Sequence, residues 1–207
     1  MYNRVSISSL GKRHFALCIV HFALLLFCLS AHAQQTTVER QSKGDGADDV
    51  LQYVPYASAI VLKVCGAESR HDWPRFAAVT VGSWVVSAGV AYALKHTVNE
   101  WRPDHTDRRS MPSGHATFAF AGASVLRHEY GHLSPWIPVA GYGVAVLTAA
   151  DRVRRDRHHW YDVCAGAAIG TLSAEACYWL SDKLFNRRQQ NVQLSLLPTG
   201  VSVQVGL

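Results

Sequence analysis

Cysteine is scarce in this chain and badly placed for a covalent frame. Five occur in 207 residues, and two of them, Cys18 and Cys28, sit in the N-terminal apolar run. No Cys-x2-Cys spacing supports a zinc site. Cys164 and Cys177, if on one helix, are separated by roughly 20 Å of rise, beyond disulfide reach. Cys65, Cys164 and Cys177 therefore read as buried thiols. Acidic residues are absent from residues 1–33, which hold Arg4, Lys12 and Arg13, so residues 34–207 carry 17 basic against 15 acidic side chains. So small an excess does not point to nucleic acid as a partner. Long uncharged runs are also few. Only Phe76–Leu94 approaches the roughly 20 residues of a membrane-spanning helix, while the others are short or carry Lys63 or Glu175.

What is present organises the rest. A basic stretch ending Lys12-Arg13-His14, an apolar run from Phe15 to Leu29, and Ala31-His32-Ala33 as a cleavage site mark residues 1–33 as a signal peptide, with an uncleaved membrane helix as the alternative. Residues 34–49 are polar and read as a flexible leader, residues 50–188 as the folded domain and residues 189–207 as a tail. Within the domain, apolar segments at Leu51–Ala67, Phe76–Leu94, Ala116–Leu126, Trp136–Ala150 and Val163–Leu180 predict an all-α bundle of about five core helices. Gly166, Gly170 and Ala174, at four-residue spacing, would let two helices approach closely. The tail changes period: Val192, Leu194 and Leu196, then Pro198-Thr199-Gly200, then Val201, Val203 and Val205 predict a small C-terminal β-hairpin. Basic residues in the turns at Arg70–Arg75 and Arg127–Pro135, and in the segment Lys183–Arg188, fall on the side opposite Lys95–Arg102 and Asp151–Asp162, as a positive-inside topology requires.

Three clusters carry chemistry: Lys95 to Pro103 (K-x6-R-P), Pro112 to His115 (P-S-G-H) and Arg152 to Asp162 (R-x5-H-x3-D). Eight of the 17 basic residues after position 33 lie in or between the ends of these clusters, concentrating positive charge where an anion would bind. Arg102 and Arg152 offer planar forks that match phosphate oxygens, and Lys95 adds a point charge. Ser113 can cap the helix that follows, with Gly114 permitting close backbone approach, and the helix start itself favours an anion. His115 falls in that helix's first turn, within reach of a bound group. His158 and Asp162, four apart, share a face if the stretch is helical, so Asp162 can orient His158 and leave its other nitrogen free as a nucleophile. His159 should point elsewhere.

In their order and spacing the clusters resemble the signature of the type 2 phosphatidic acid phosphatase and vanadium haloperoxidase superfamily, over the stretch from Lys95 to about Gly170. The resemblance implies a helical bundle that hydrolyses phosphomonoesters or diphosphates with no metal and no cofactor. It assigns phosphate binding to Lys95, Arg102, Arg152, Ser113 and Gly114, the general acid to His115, the nucleophile to His158 through a phosphohistidine, and the orienting carboxylate to Asp162. Asp151 departs from the family's frequent serine; Arg154, Arg155 and Arg157 would offset its charge. The expected substrate is a phosphorylated lipid or small phosphate ester, handled by an exported protein of the inner membrane with its site facing the periplasm. A soluble periplasmic acid phosphatase, a vanadate-dependent haloperoxidase and a non-catalytic phosphate-binding module are the competing readings. Oligomeric state is not legible.

Overall fold

The computed structural model describes residues 47–190, 192–197 and 200–205, those from 186 onward by backbone alone. The expected signal peptide and residues 34–46 lie outside the described residues. Six helices follow in order: α1 (Ala47–Leu51), α2 (Val54–Val64), α3 (Trp73–Thr97), α4 (Gly114–Tyr130), α5 (Trp136–Arg154) and α6 (Trp160–Gln190). Strands β1 (Val192–Leu197) and β2 (Gly200–Val205) pair antiparallel, Val192 opposite Val205 and Leu197 opposite Gly200. Among the described residues the protein is all-α apart from this pair. Five of the helices are those the apolar segments predict. The sixth, α1, straddles the expected boundary at residue 50, beginning in the polar stretch 34–49, and its Asp48 is fully buried.

Helix α4 is the axis of the bundle, packed on by α2, α3, α5 and α6. Its sequence explains the position, because Ala116, Thr117, Ala119, Ala121, Gly122, Ala123 and Ser124 are all buried and small enough for neighbours to approach on every side. A Cβ at Gly170 would lie 2.1 Å from the Thr117 carbonyl oxygen, and one at Gly166 2.5 Å from that of Ser113. The expected close seam is therefore real: backbone of α6 rests directly on backbone of α4. A larger apolar cluster of Tyr56, Phe76, Val79, Val125, Leu126, Tyr130 and Tyr178 closes the far end. There the buried carboxylate of Glu129 accepts from His71 Nδ1 at 2.8 Å and from the Tyr178 hydroxyl at 2.8 Å.

Large apolar side chains lie mostly outside. Val81, Trp84, Val85, Val86 and Val90 of α3, Val139, Val146 and Leu147 of α5, and Leu172, Trp179, Leu180 and Leu184 of α6 are all exposed. Two helices, Trp73–Thr97 and Trp160–Phe185, are long and apolar enough to cross a membrane, and both are largely exposed within the bundle. Water would penalise such a surface; a hydrocarbon surrounding would not. The same reversal corrects the reading of the thiols. Cys65 and Cys164 are exposed and Cys177 is half-buried, because the rule that apolar side chains go inside presumes water outside.

Candidate active site

The site forms where two helices end and two begin. Lys95 lies in the last turn of α3 and Arg152 in the last turn of α5. Ser113 caps α4, its Oγ accepting from the Ala116 N–H at 3.5 Å, and Asp162 lies in the first turn of α6. The paired helix starts favour an anion, and the lysine and arginines add full charges. The Ser113 backbone N–H donates to the Asp162 carbonyl at 3.0 Å, so this donor ties α4 to α6 and is not open to a ligand. Among the described residues only the Lys95 Cε, 4.0 Å away, would meet a Cβ at Gly114.

His158 is the point of convergence. It is only 2 % exposed. Burial foremost, then the cations of Lys95, Arg102 and Arg152, push its pKa down to about 4 against the opposing pull of Asp162. One imidazole thus feels all three basic residues that the sequence nominates, and it is neutral above that pH. His158 precedes α6 rather than lying on it, so the expectation of a shared helical face is corrected; the chain's turn into α6 brings its Nδ1 to 3.7 Å from Asp162 Oδ2 instead.

Asp162 does more than face His158. Its Oδ2 accepts from the Ser110 hydroxyl and, at 2.9 Å, from the His159 backbone N–H, the return half of a capping box at the start of α6. His159 Nδ1 stands 3.3 Å from the same oxygen, so His159 does not point away as expected. Among the described residues Asp162 Oδ1 and His158 Nδ1, both buried, find no partner. A small rotation of either side chain would close the 3.7 Å gap between the two groups to hydrogen-bond range.

The basic residues are held by carboxylates on loops and on α1. Arg102 donates through Nε to Asp107 Oδ1 at 2.9 Å and through Nη1 to the Arg157 carbonyl at 3.2 Å. Lys95 Nζ donates to the Arg109 carbonyl at 3.0 Å. Arg152 donates through Nη1 to Asp48 Oδ2, while its buried Nε has no partner among the described residues. The other Asp48 oxygen accepts from Arg155 at 2.6 Å. Burial alone would raise the Asp48 carboxyl, but Arg152, His115 and Arg155 hold it below the usual carboxylate range. Asp49 Oδ1 lies 2.6 Å from His115 Nε2. The odd carboxylate, Asp151, is taken by Arg154 at 2.6 Å, and Arg157 pairs with Asp104 at 2.8 Å. Of the three offsetting arginines, Arg154 does the offsetting, Arg155 stands 3.9 Å off, and Arg157 is engaged elsewhere.

Asp48, Asp49 and Ser110 were not singled out by sequence reasoning. The first two looked like composition of a polar leader, and the third like loop filler; no local signal ties any of them to a partner more than fifty residues away. Two groups have atoms close enough to share a cation, Asp48 with Asp49 and His115, and Glu100 with His159 and Asp162, each within 4.8 Å. Arg152 and Arg155 already neutralise Asp48 in the first. In the second, Ser110 and the His159 N–H occupy the Asp162 oxygen that faces it.

Such a bundle, with cations and two histidines gathered at one end, defines the class as an all-α protein with concentrated positive charge at one pole. The PAP2 superfamily model matches residues 76–186, and the chain belongs to that family. It is 38 % identical over 139 residues to the lipid A 1-phosphatase of Porphyromonas gingivalis, covering 67 % of this chain and 31 % of that protein. Against the lipid phosphate phosphatase 1 of Arabidopsis thaliana it is 37 % identical over 81 residues, 34 % of this chain and 25 % of the relative. It is 30 % identical over 133 residues to the lipid A 4'-phosphatase of Helicobacter pylori, covering 58 % of this chain and 62 % of that protein. The chain thus spans a third or less of the first two relatives. The crystal structure of Aquifex aeolicus LpxE superposes with a TM-score of 0.52 at 20 % identity, over 74 % of this chain and 94 % of that one, and shows the same fold.

Proposed function

We propose that this chain is a membrane-embedded phosphatase that hydrolyses a lipid phosphate or diphosphate through a phosphohistidine. The observation that carries the reading is the buried, neutral His158 under the combined charge of Lys95, Arg102 and Arg152. A histidine held neutral keeps its lone pair for attack, and three cations would draw a phosphate onto it. With Nδ1 turned to Asp162, Nε2 is the attacking nitrogen. As the P–N bond forms, the P–O bond to the alcohol breaks and its electron pair goes to the leaving oxygen, which takes a proton from His115. Water then attacks phosphorus, gives a proton to His115 and releases phosphate and His158. Each step uses residues of this chain alone.

A lipid substrate is supported by the named activities of the relatives and by the exposed apolar surface of α3, α5 and α6. A site facing the exported side is supported by the basic residues at the opposite end, Lys63, Arg70, Arg75, Arg127 and Lys183. The test is phosphate release by the full chain in detergent from lipid A, phosphatidate, phosphatidylglycerol phosphate and undecaprenyl diphosphate, with and without EDTA. His158→Ala should lower turnover at least about 10³-fold, and denatured wild-type enzyme caught during turnover should carry acid-labile phosphate on His158. Wild-type turnover by His158→Ala would sink the mechanism.

A further inference from the structure

We propose that α1 belongs to the catalytic apparatus: Asp49 is a positioning residue that holds His115 as the proton donor, while Asp48 fixes the arginine beside it. The kinetic consequences rest on the phosphatase reading; the geometry does not. Asp49 Oδ1 stands 2.6 Å from His115 Nε2, and Asp48 Oδ2 stands 3.9 Å from the same nitrogen. A carboxylate can only accept, so the proton of His115 sits on Nε2. Asp48 is fully buried, with its two oxygens on Arg152 and Arg155. Its bond to Arg152 Nη1 fixes the plane of that guanidinium, whose buried Nε finds no partner among the described residues. That unpartnered Nε belongs to a cation that acts on His158, so Asp48 holds Arg152 while leaving one donor over for a phosphate oxygen.

The need for a positioning acid follows from where His115 lies. Burial first, then Arg152, pull its pKa below the ordinary histidine value, and the Asp49 and Asp48 carboxylates pull the other way. Other charged groups gathered at this end are Lys95 of α3, Arg155 of α5, His158 before α6 and Asp162 within it. Without the two aspartates His115 would give up its proton at a still lower pH, and a neutral imidazole cannot protonate a leaving oxygen. Asp49 is partly exposed where Asp48 is not. With Asp49 on Nε2–H, the charged ring keeps its Nδ1–H for the arriving ester oxygen. As the P–O bond breaks, its electron pair stays on that oxygen, the Nδ1 proton transfers to it, and His115 becomes neutral with its remaining proton on Nε2 against Asp49, to be reprotonated at Nδ1 by the attacking water.

The experiment uses the full chain in detergent with nitrogen-15 labelled histidine, comparing wild type, Asp49→Asn, Asp49→Ser and Asp49→Glu. The His115 ring is titrated by NMR, and kcat/KM against pH is measured on phosphatidate in mixed micelles. The expected result is a fall of about one unit in the His115 titration for Asn and Ser, an equal shift of the alkaline limb of kcat/KM, an unmoved acidic limb, and recovery by Glu. An unchanged His115 titration overturns the proposal. So does a rise in kcat/KM at neutral pH with both limbs in place, which would make Asp49 an obstruction. Because the ring titration needs no turnover, it decides this proposal even if wild-type enzyme releases no phosphate, an outcome that would instead count against the phosphatase reading.

Discussion

At the scale of single residues, the proposed mechanism requires two histidines to hold opposite protonation states at once. In it His158 would attack when neutral, and it is neutral above about pH 4, whereas His115 would donate when charged and has a pKa below the usual histidine range. The free enzyme should therefore show a bell-shaped kcat/KM, rising as His158 loses its proton near pH 4 and falling as His115 loses its own below about 6.5. A rate profile in buffers of constant ionic strength checks this, and an optimum on the alkaline side of neutrality would contradict it. Six of the eight site residues read from the sequence, Lys95, Arg102, His115, Arg152, His158 and Asp162, were legible because their side chains have few other reasons to recur at those spacings. Ser113 and Gly114 were legible as a helix start. Asp48 was not, because it meets Arg152 from 104 positions away and nothing in a polar stretch of sequence marks a residue as buried.

At the scale of elements, the seam between α4 and α6 decides the packing. Gly170→Ala places a methyl group 2.1 Å from a backbone oxygen that has no room to yield. Helix separation of that kind costs about 1–3 kcal/mol, so the midpoint of thermal unfolding in detergent should fall. Gly89→Ala on α3, where nothing lies within 4 Å of the new Cβ, should raise it slightly, by about 0.5–1 kcal/mol of stability from reduced backbone freedom. Equal effects of the two substitutions would show that the seam is not tight. The small-residue spacing announced this contact in the sequence, but the helix ends were not announced. α3 runs on through Lys95 and Thr97, since charged residues in a last turn suit the helix dipole, and α1 is too short for any periodicity to appear.

At the scale of the whole molecule, all six tryptophans, Trp73, Trp84, Trp101, Trp136, Trp160 and Trp179, are exposed. Trp160 and Trp179 bracket a length of α6 of roughly 28 Å, close to the thickness of a hydrocarbon core. Trp73 and Trp136 open helices at the far end, and Trp101 follows α3 at the near end. Such girdles are where indole rings settle at a membrane interface. Trp84 alone sits midway along its helix. Fluorescence in bilayers of lipids brominated at mid-chain should accordingly be quenched, and Trp84→Phe should remove more of that quenching than Trp160→Phe. Unquenched emission would place these surfaces in water.

Because glycines of α6 sit on carbonyl oxygens of α4, and the Ser113 N–H is bonded to the Asp162 carbonyl at 3.0 Å, the two helix starts behave as one rigid body. His115 rides on one of them and the carboxylate that faces His158 on the other. Lys95 and Arg152 ride on the ends of α3 and α5. In the proposed mechanism the distance between proton donor and nucleophile would then be set by backbone resting on backbone, so that a substitution widening the seam, such as Gly166→Ala, would slow bond breaking as well as loosen the fold.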